Sequence, residues 1–580
     1  MTEAHLSAEE FQALRNSALR AYNDGRTSID YDDHFSFIEM INLLVFYFGY
    51  LTILFSIIGY GYISSKILSV RFSLGEMGIS GILLITILSY LTNFVFAHNF
   101  VHNTIFLLIG LVAFFLLLKK SLFRKKITLI LSISSVLFIG LLMYKTHDDF
   151  FYYHYPYTLS LIEFKKIFGL GNLEHGFRTP SSIFYLNSLF YLPILDKLLI
   201  HSGAIFFVIF SNIFLIQKIF NQLKNKKNDF ILILSLLSLI FINTIFYRLA
   251  EHGTDRSALI LIFILAIYYL EGTNKKLTAI NFNYYYQRIL IITLLIASLK
   301  SFYLIYIMFI LILFFEFRNI LLKKIFFKKL LFQKVGYYFL FGVLIIIFTN
   351  FSNTGCFIYP ASFTCLESFS WSIPKKEVIQ MKTWYELWSK AGASPTYRIE
   401  NIDIYLSGLN WVSNWVQNHF FNKISDYLLS LFFIIVICYF FLANSKKATS
   451  PKKNFYLFYF TLIILLIEWF LNHPALRYGG FTLIALSIYI PLSLYMVGKI
   501  NFNLKLKKKI TFLICLSFAF FSFKNIDRIF KEYKKYNYNP FINAHYFVND
   551  NSNSYRELLL RAERNRIKDG KKFYIVLKRN

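Results

Sequence analysis

Long apolar stretches alternate with short polar ones from residue 41 to residue 521. A helix crossing a bilayer needs about 20 apolar residues, and fewer when it is packed inside a bundle. On that measure the pattern predicts fourteen spans. The first four are Ile41–Ile63, Ile79–Phe96, Ile105–Leu118 and Ile127–Tyr144. Gly203–Phe220, Phe230–Phe246 and Ala258–Leu270 follow, and then Ile289–Leu299 and Phe302–Phe317 form a tight hairpin. Tyr337–Phe348, Tyr427–Leu442, Phe455–Leu471, Thr482–Met496 and Ile510–Phe521 complete the set. The expected architecture is an all-α polytopic membrane protein. A polar tail (1–40) leads into one membrane domain (41–523) with large loops at 145–202 and 350–426, and a basic tail (524–580) closes the chain.

Composition agrees with this pattern. Hydrophobic residues make up 56% of the chain and charged residues only 16%, against about a quarter charged in a soluble globule. The net charge of +29 would suit nucleic acid if it lay on one face. It lies instead in short clusters between spans: Lys119–Lys126, Lys224–Lys227, Lys275–Lys276, Arg318–Lys334, Lys446–Lys453 and Lys499–Lys509. All six fall on the same side of the span count, which is the mark of cytoplasmic loops and excludes a nucleic-acid partner. Both termini then lie outside, in a bacterial inner membrane. Residues 1–33 lack the charged–apolar–small pattern of a cleaved signal, so none is expected.

The loops on the opposite side hold the candidate chemistry. His147-Asp148-Asp149, followed by Tyr152, Tyr153, His154, Tyr155 and Pro156, emerges from the end of the fourth span. Adjacent carboxylates at a membrane surface must face water, a metal or cationic substrate groups. One of them can act as general base on a hydroxyl, or the pair can hold a divalent metal bridged to phosphate oxygens. His147 and His154 are placed to orient them. Pro156 opens an expected amphipathic helix, Tyr157–Phe168, lying in the interface and ended by Gly169 and Gly171.

Arg178 suits a phosphate, or a pairing with Glu174. Arg248, Glu251, His252, Asp255 and Arg256 place five ionisable residues within nine; on one helix, positions 248, 252 and 255/256 would share a face. Lys300 sits at the tip of the hairpin, and His473 and Arg477 at the mouth of the thirteenth span, near Glu468. These residues are the pool for substrate binding. In the loop 350–426, the tryptophans fit an interfacial belt, Glu386–Ala391 reads as a surface helix, and Cys356 with Cys365 would suit a disulfide in an oxidising outer compartment. The sequence has no phosphate-cradling GxxxxGK[ST], no GxSxG and no HExxH, which argues against an ATP motor, a standard serine hydrolase and a zinc protease.

With these residues in view, the layout resembles the GT-C-type glycosyltransferases, in which an acidic residue ends an early span and juxtamembrane helices follow. HDDFFYYHYPYTLSL, GLGNLEHGFRTPSS, GCFIYPASFTC and HPALRYGG also resemble a group of bacterial multi-spanning membrane proteins. The acidic motif follows the fourth span here rather than the first, so three spans would form an added N-terminal bundle. The resemblance implies transfer of a sugar from a polyprenyl-phosphate-linked donor in the membrane lipid to a glycan or lipid acceptor, with Asp148 or Asp149 as base or metal ligand and a divalent metal as the one cofactor to consider. Two other functions fit the same layout. An envelope polysaccharide polymerase or ligase would lean on Arg477 and the loop 350–426. A lipid-linked sugar flippase or transporter would carry charges deep within spans.

Overall fold

The computed structural model describes residues 37–144, 149–173, 175–225, 230–248, 253–274, 279–318, 332–392, 395–443, 455–500 and 504–541. Its principal helices are α1 (Phe37–Leu68), α2 (Leu74–Asn93), α3 (Phe100–Leu118), α4 (Ile127–Phe138), α5 (Tyr155–Glu163), α6 (Ser182–Ser188), α7 (Gly203–Lys224), α8 (Phe230–Ile245) and α9 (Gly253–Asn274). They continue as α10 (Ala279–Leu299), α11 (Met308–Glu316), α12 (Lys334–Thr354), α13 (Lys375–Ala391), α14 (Ser425–Leu442), α15 (Tyr456–Asn472), α16 (Gly480–Val497) and α17 (Leu504–Tyr536). No β-strand occurs among the described residues.

Nine of the described helices are long and apolar enough to cross a membrane, and four shorter apolar segments accompany them. The protein is an all-α, multi-pass membrane protein. The fourteen expected spans map imperfectly onto these elements. The span expected at Ile289–Leu299 is the second half of α10, whose first half carries tyrosines and Arg288. A continuous helical stretch from Val412 to Leu442 includes the span expected to start at Tyr427. Helix α17 runs through Tyr536, so residues expected in the C-terminal tail continue a span.

The bundle is layered. In α2 and α9, 89% of the apolar window is buried, and in α7 83%; these helices form the interior. In α3 and α14 the figure is 28%, and in α17 33%. Their outward faces carry exposed Val112, Phe115, Phe432, Phe440, Phe512 and Phe523, which suits contact with lipid. Small residues bring the first helices together. A Cβ on Gly81 would lie 2.1 Å from the Ile57 carbonyl oxygen, and one on Gly59 only 1.8 Å from that of Gly110. Close backbone approach of this kind is how helices pack where water supplies no driving force. Deeper in the bundle, Asn212 and Asn243 exchange hydrogen bonds of 3.0 and 2.9 Å, and Asn243 donates to Ser517 at 3.2 Å, tying α7, α8 and α17.

Charges inside the bundle are paired. Arg288 on α10 donates to the Glu76 carboxylate on α2, which also accepts from the Tyr268 hydroxyl and, at 2.5 Å, from the Ser73 N–H. Arg288 adds a 2.6 Å bond to the Arg71 carbonyl. Lys218 and Glu271 pair at 2.7 Å. The described basic residues Lys119 to Lys126, Lys224 and Lys499 lie near this end of the bundle; Asp149 and the loop from Gly355 onward lie at the other.

Removing one partner of a buried ion pair leaves an uncompensated charge, at about 3–5 kcal/mol, whereas replacing both by apolar groups costs far less. Arg288→Ala should therefore sharply lower the melting temperature in detergent. Glu76→Leu/Arg288→Leu should melt above the single variant. A single variant that melts like the parent would show that the pair carries no such constraint.

Candidate functional site

The end of the bundle opposite Glu76 and Arg288 gathers charged groups from four separate segments. Asp149 precedes a π-helical turn at Phe150–His154, which runs straight into α5. Pro156 lies in the first turn of α5, just after the π-helical turn. The expected interfacial helix Tyr157–Phe168 is thus shorter, starts earlier and ends at Glu163. Its residues Tyr155 to Ile162 are all buried, so it is part of the protein interior rather than a surface helix. Asn353, near the end of α12, donates to the Tyr157 hydroxyl at 2.8 Å and to the Phe177 carbonyl at 3.1 Å, which fixes α5 against the following loop. At the other side of the motif, α17 holds the chain leaving α4. Arg528 donates to the Leu142 carbonyl at 2.7 Å, and the Tyr144 N–H donates to Glu532 at 2.9 Å.

Asp149 faces Arg477, which lies in the turn between α15 and α16. Arg477 Nη1 is 3.5 Å from Asp149 Oδ2, with side chains 26% and 33% exposed. Beside them, Lys300 Nζ lies 3.0 and 3.3 Å from the two oxygens of Asp255 in the first turn of α9. Tyr303 joins the two pairs: its hydroxyl lies 3.1 Å from Asp255 Oδ1 and 3.3 Å from the Arg477 carbonyl. Arg477 stacks over the rings of Trp388 (4.3 Å) and Tyr478 (4.8 Å) and donates to the Tyr478 hydroxyl at 2.8 Å. Lys300 lies over the other site ring, Tyr478, at 4.7 Å.

The electrostatics follow from these neighbours. Burial works against the Arg477 charge, but Tyr478, Asp255, Asp149 and Tyr153 outweigh it and raise its pKa. The Tyr153 phenol is raised well above its usual value, first by burial and then by Asp149, so it stays protonated and can donate. His473 is held down to about 4, first by burial and then by Lys300, Lys390 and Lys382, against the opposing charge of Glu386. Its neutral ring packs on Phe302 (5.4 Å) and Tyr478 (6.0 Å).

Of the residues singled out in the sequence, Asp149, Asp255, Lys300, His473 and Arg477 come together. His147, Asp148, Glu251 and His252, and with them the paired carboxylate expected to hold a metal, lie outside the described residues. Arg248 and Arg256 do not share a helix: Arg256 lies on α9, whereas Arg248 is not helical. Arg256 instead donates to the Arg248 carbonyl at 2.8 Å and lies 5.8 Å over Phe246. His154 packs between Tyr153 (4.4 Å) and Phe184 (5.0 Å).

Arg178 is committed elsewhere: it donates to the Glu377 carboxylate and, at 3.0 Å, to the Gly171 carbonyl, pinning α13 over this end. Glu468 accepts from Asn472 at 3.2 Å, and the carboxylate Arg477 meets is Asp149. The Cys356–Cys365 disulfide is present. The stretch Glu386–Ala391 is the last part of the longer α13, with Leu387 and Ser389 to Ala391 buried. Trp411 and Trp415 are buried against Phe470 rather than set in a belt.

Trp388, Tyr303 and Tyr153 have site positions that the sequence reading did not assign. Tyr153 lay within the acidic motif, and Tyr303, three residues after Lys300, shares its face in a 3₁₀ turn; Trp388 left no comparable signal. Among the described residues no three His, Cys, Asp or Glu side chains gather as a metal site. The two described carboxylates are neutralised by cations instead. The result is a half-open patch with a carboxylate beside an arginine and a lysine, suited to an anionic ligand and to proton uptake next to it.

The chain belongs to the family described as Domain of unknown function (DUF8201), whose model matches residues 40–485. The match covers every described residue of this site and stops short of α17. No curated protein and no solved structure matches the chain.

The His473 shift predicts a pH dependence. Unfolded, histidine titrates near 6.5; folded, His473 does so at about 4. As pH falls, the unfolded chain takes up the proton first, so stability is lost between about pH 6.5 and 4 and is flat above. His473→Gln should lose less melting temperature across that window than the parent. His98, held down to about 3 by burial and then by His102, contributes equally to both proteins. Identical pH profiles would contradict the assignment.

Proposed function

We propose that this protein is a membrane glycosyltransferase that uses a lipid-phosphate-linked sugar donor at the outer face of a bacterial inner membrane. The observation that carries the reading is the meeting of Asp149 and Arg477, 328 positions apart in sequence, at 3.5 Å in a half-open site, with Lys300 and Asp255 alongside. Sidedness is supported by two features at opposite ends of the bundle. The disulfide loop follows α12 at the site end, and disulfides persist in oxidising compartments. The described basic residues Lys119 to Lys126, Lys224 and Lys499 flank the other end, as those of cytoplasmic loops do. A site facing away from the cytosol lacks nucleotide donors, which leaves a lipid carrier to bring the sugar.

In this reading the donor phosphate enters between Arg477 and Lys300 and competes with the carboxylates for them. Asp149, released from Arg477, accepts the proton of the acceptor hydroxyl. The hydroxyl oxygen forms its bond to the anomeric carbon from the side opposite the leaving group. The bond from that carbon to the phosphate oxygen breaks, and its electron pair stays on the lipid phosphate. Arg477 and Lys300 lie where this negative charge develops, the position in which fixed cations accelerate a reaction most. Asp255 and Tyr303 hold Lys300 in place.

One observation favours a second reading, a polysaccharide polymerase or ligase. Trp388, from the loop 350–426, stacks on Arg477, and that class would depend on Arg477 and this loop more than on the acid. Asp149→Asn and Arg477→Ala should be compared in one sugar-transfer assay with purified protein in liposomes. The transferase reading expects Asp149→Asn to lower turnover by about 10²–10⁴-fold while donor binding persists, and Arg477→Ala to weaken both. Full activity in Asp149→Asn with loss in Arg477→Ala would move the assignment to the second reading. Donor translocation without turnover would replace both with a flippase.

A further inference from the structure

A cavity lies on the lipid-facing flank of the bundle, between α8, α14 and α17. Its volume is about 540 Å³, within the roughly 300–1,000 Å³ usual for small-ligand sites. The walls are largely apolar, and Phe433, Ile437, Leu516 and Phe520 are 55%, 43%, 42% and 39% exposed. The groove therefore opens sideways toward hydrocarbon.

Its charged groups are confined to one end. Asp426 lies in the first turn of α14, Thr244 and Tyr247 at the end of α8, and Lys524 on α17 beside Asn525, whose amide donates to the Tyr247 carbonyl at 3.3 Å. This is the same end of the bundle as Arg477, because the wall residue Phe481 lies in the first turn of α16, directly after the Arg477 turn. Below that level the lining is Ile240, Ile434, Ile437, Cys438 and Leu513, with the Ser517 hydroxyl already engaged by Asn243.

From Asp426 to Cys438 is twelve residues of helix, or about 18 Å at a rise of about 1.5 Å per residue. The hydrocarbon core is about 30 Å thick, so one leaflet is about 15 Å deep. The groove thus has the depth of a single leaflet, with charges at the level of headgroups. Those charges are of opposite sign. Neither Asp426 nor Lys524 has an ion-pair partner among the described residues; Lys524 lies over the Phe520 ring at 5.5 Å, and Asp426 is exposed.

We infer that this groove binds a glycerophospholipid with an amine-bearing headgroup, its phosphate on Lys524, its ammonium on Asp426 and an acyl chain along Ile434, Ile437 and Leu513. One carboxylate and one ammonium match a zwitterion, whereas an anionic lipid would satisfy Lys524 and set its own charge against Asp426. A leaflet-deep groove suits an ordinary acyl chain. The inference requires only that the protein spans a membrane and does not rest on the proposed transferase activity.

The test uses delipidated full-length protein in detergent, offered equal amounts of phosphatidylethanolamine and phosphatidylglycerol, with retained lipid counted by native mass spectrometry. The parent should prefer phosphatidylethanolamine by roughly fivefold, the upper range for a half-exposed ion pair. Asp426→Asn, a change at an exposed position, should bring the ratio to about one while phosphatidylglycerol binding persists. Ile437→Trp, filling the groove, should remove both lipids. Equal retention of the two lipids by the parent would overturn the inference. So would a parent-like preference in Asp426→Asn or retention unchanged in Ile437→Trp, which would mark the bound lipid as annular only. Sugar transfer measured on the same variants keeps the two readings separate, since loss of lipid preference leaves the Asp149–Arg477 assignment untouched.

Discussion

A charge at the end of a helix bundle, enclosed on most sides by protein, has to be matched by an opposite charge brought there by another segment. In this protein that requirement organises the whole site end. Asp149 arrives on the chain leaving α4, Arg477 on the turn after α15, Asp255 on the first turn of α9 and Lys300 on the link out of α10. Each of these segments supplies the partner that another segment's half-buried charge needs, and at this exposure solvent screens part of what an unpaired charge would cost. The neutral phenols of Tyr153 and Tyr303 fill the gaps with donors rather than further charges. The same rule closes the opposite end, where Arg288 and Glu76 join α10 to α2.

What separates the two ends is exposure. The Glu76–Arg288 pair is almost fully enclosed, with side chains 7% and 5% exposed, and its remaining valences are taken by Tyr268, Ser73 and the Arg71 carbonyl. Nothing can exchange into it. The Asp149–Arg477 pair is about a third and a quarter exposed, and its 3.5 Å separation is long for a charge-assisted bond. An anionic ligand could replace Asp149 at Arg477 without leaving either charge stranded in hydrocarbon. Arg178 shows the contrast from within the same end: with Glu377 and the Gly171 carbonyl as partners, it serves to seat α13 and hence Trp388.

The membrane character and five of the clustered residues were legible in the sequence, because each depends on local composition. Apolar runs report spans, and an ionisable residue at a span boundary reports itself. Partnership was not legible. Glu468 lies near both His473 and Arg477 in sequence, but it accepts from Asn472 instead. Asp149 and Arg477 meet only through the stacking of helices. The interfacial reading of the helix after Pro156 failed for a related reason: an apolar face looks the same whether lipid or another helix covers it, and α5 is covered all round. The tight packing of Trp411 and Trp415 was hidden in the same way, since tryptophan density fits both a belt and a core.

The last helix extends this reasoning past the family's own boundary. The matching family model ends at residue 485, yet α17, beginning at Leu504, supplies the Arg528–Glu532 pair that holds Leu142 and Tyr144, just ahead of the acidic motif. Tyr144 also stacks on Tyr536 at 4.8 Å. Asp149 can meet Arg477 only if the chain leaving α4 is aimed toward it, and α17 fixes the start of that path. The same helix provides Lys524 and one wall of the lipid-facing groove. A bundle that stopped at residue 485 would keep its charged residues but lose the clamp on the segment that delivers one of them. The site is therefore a property of the bundle with α17 in place, and the matched segment alone does not contain everything that positions its own acid.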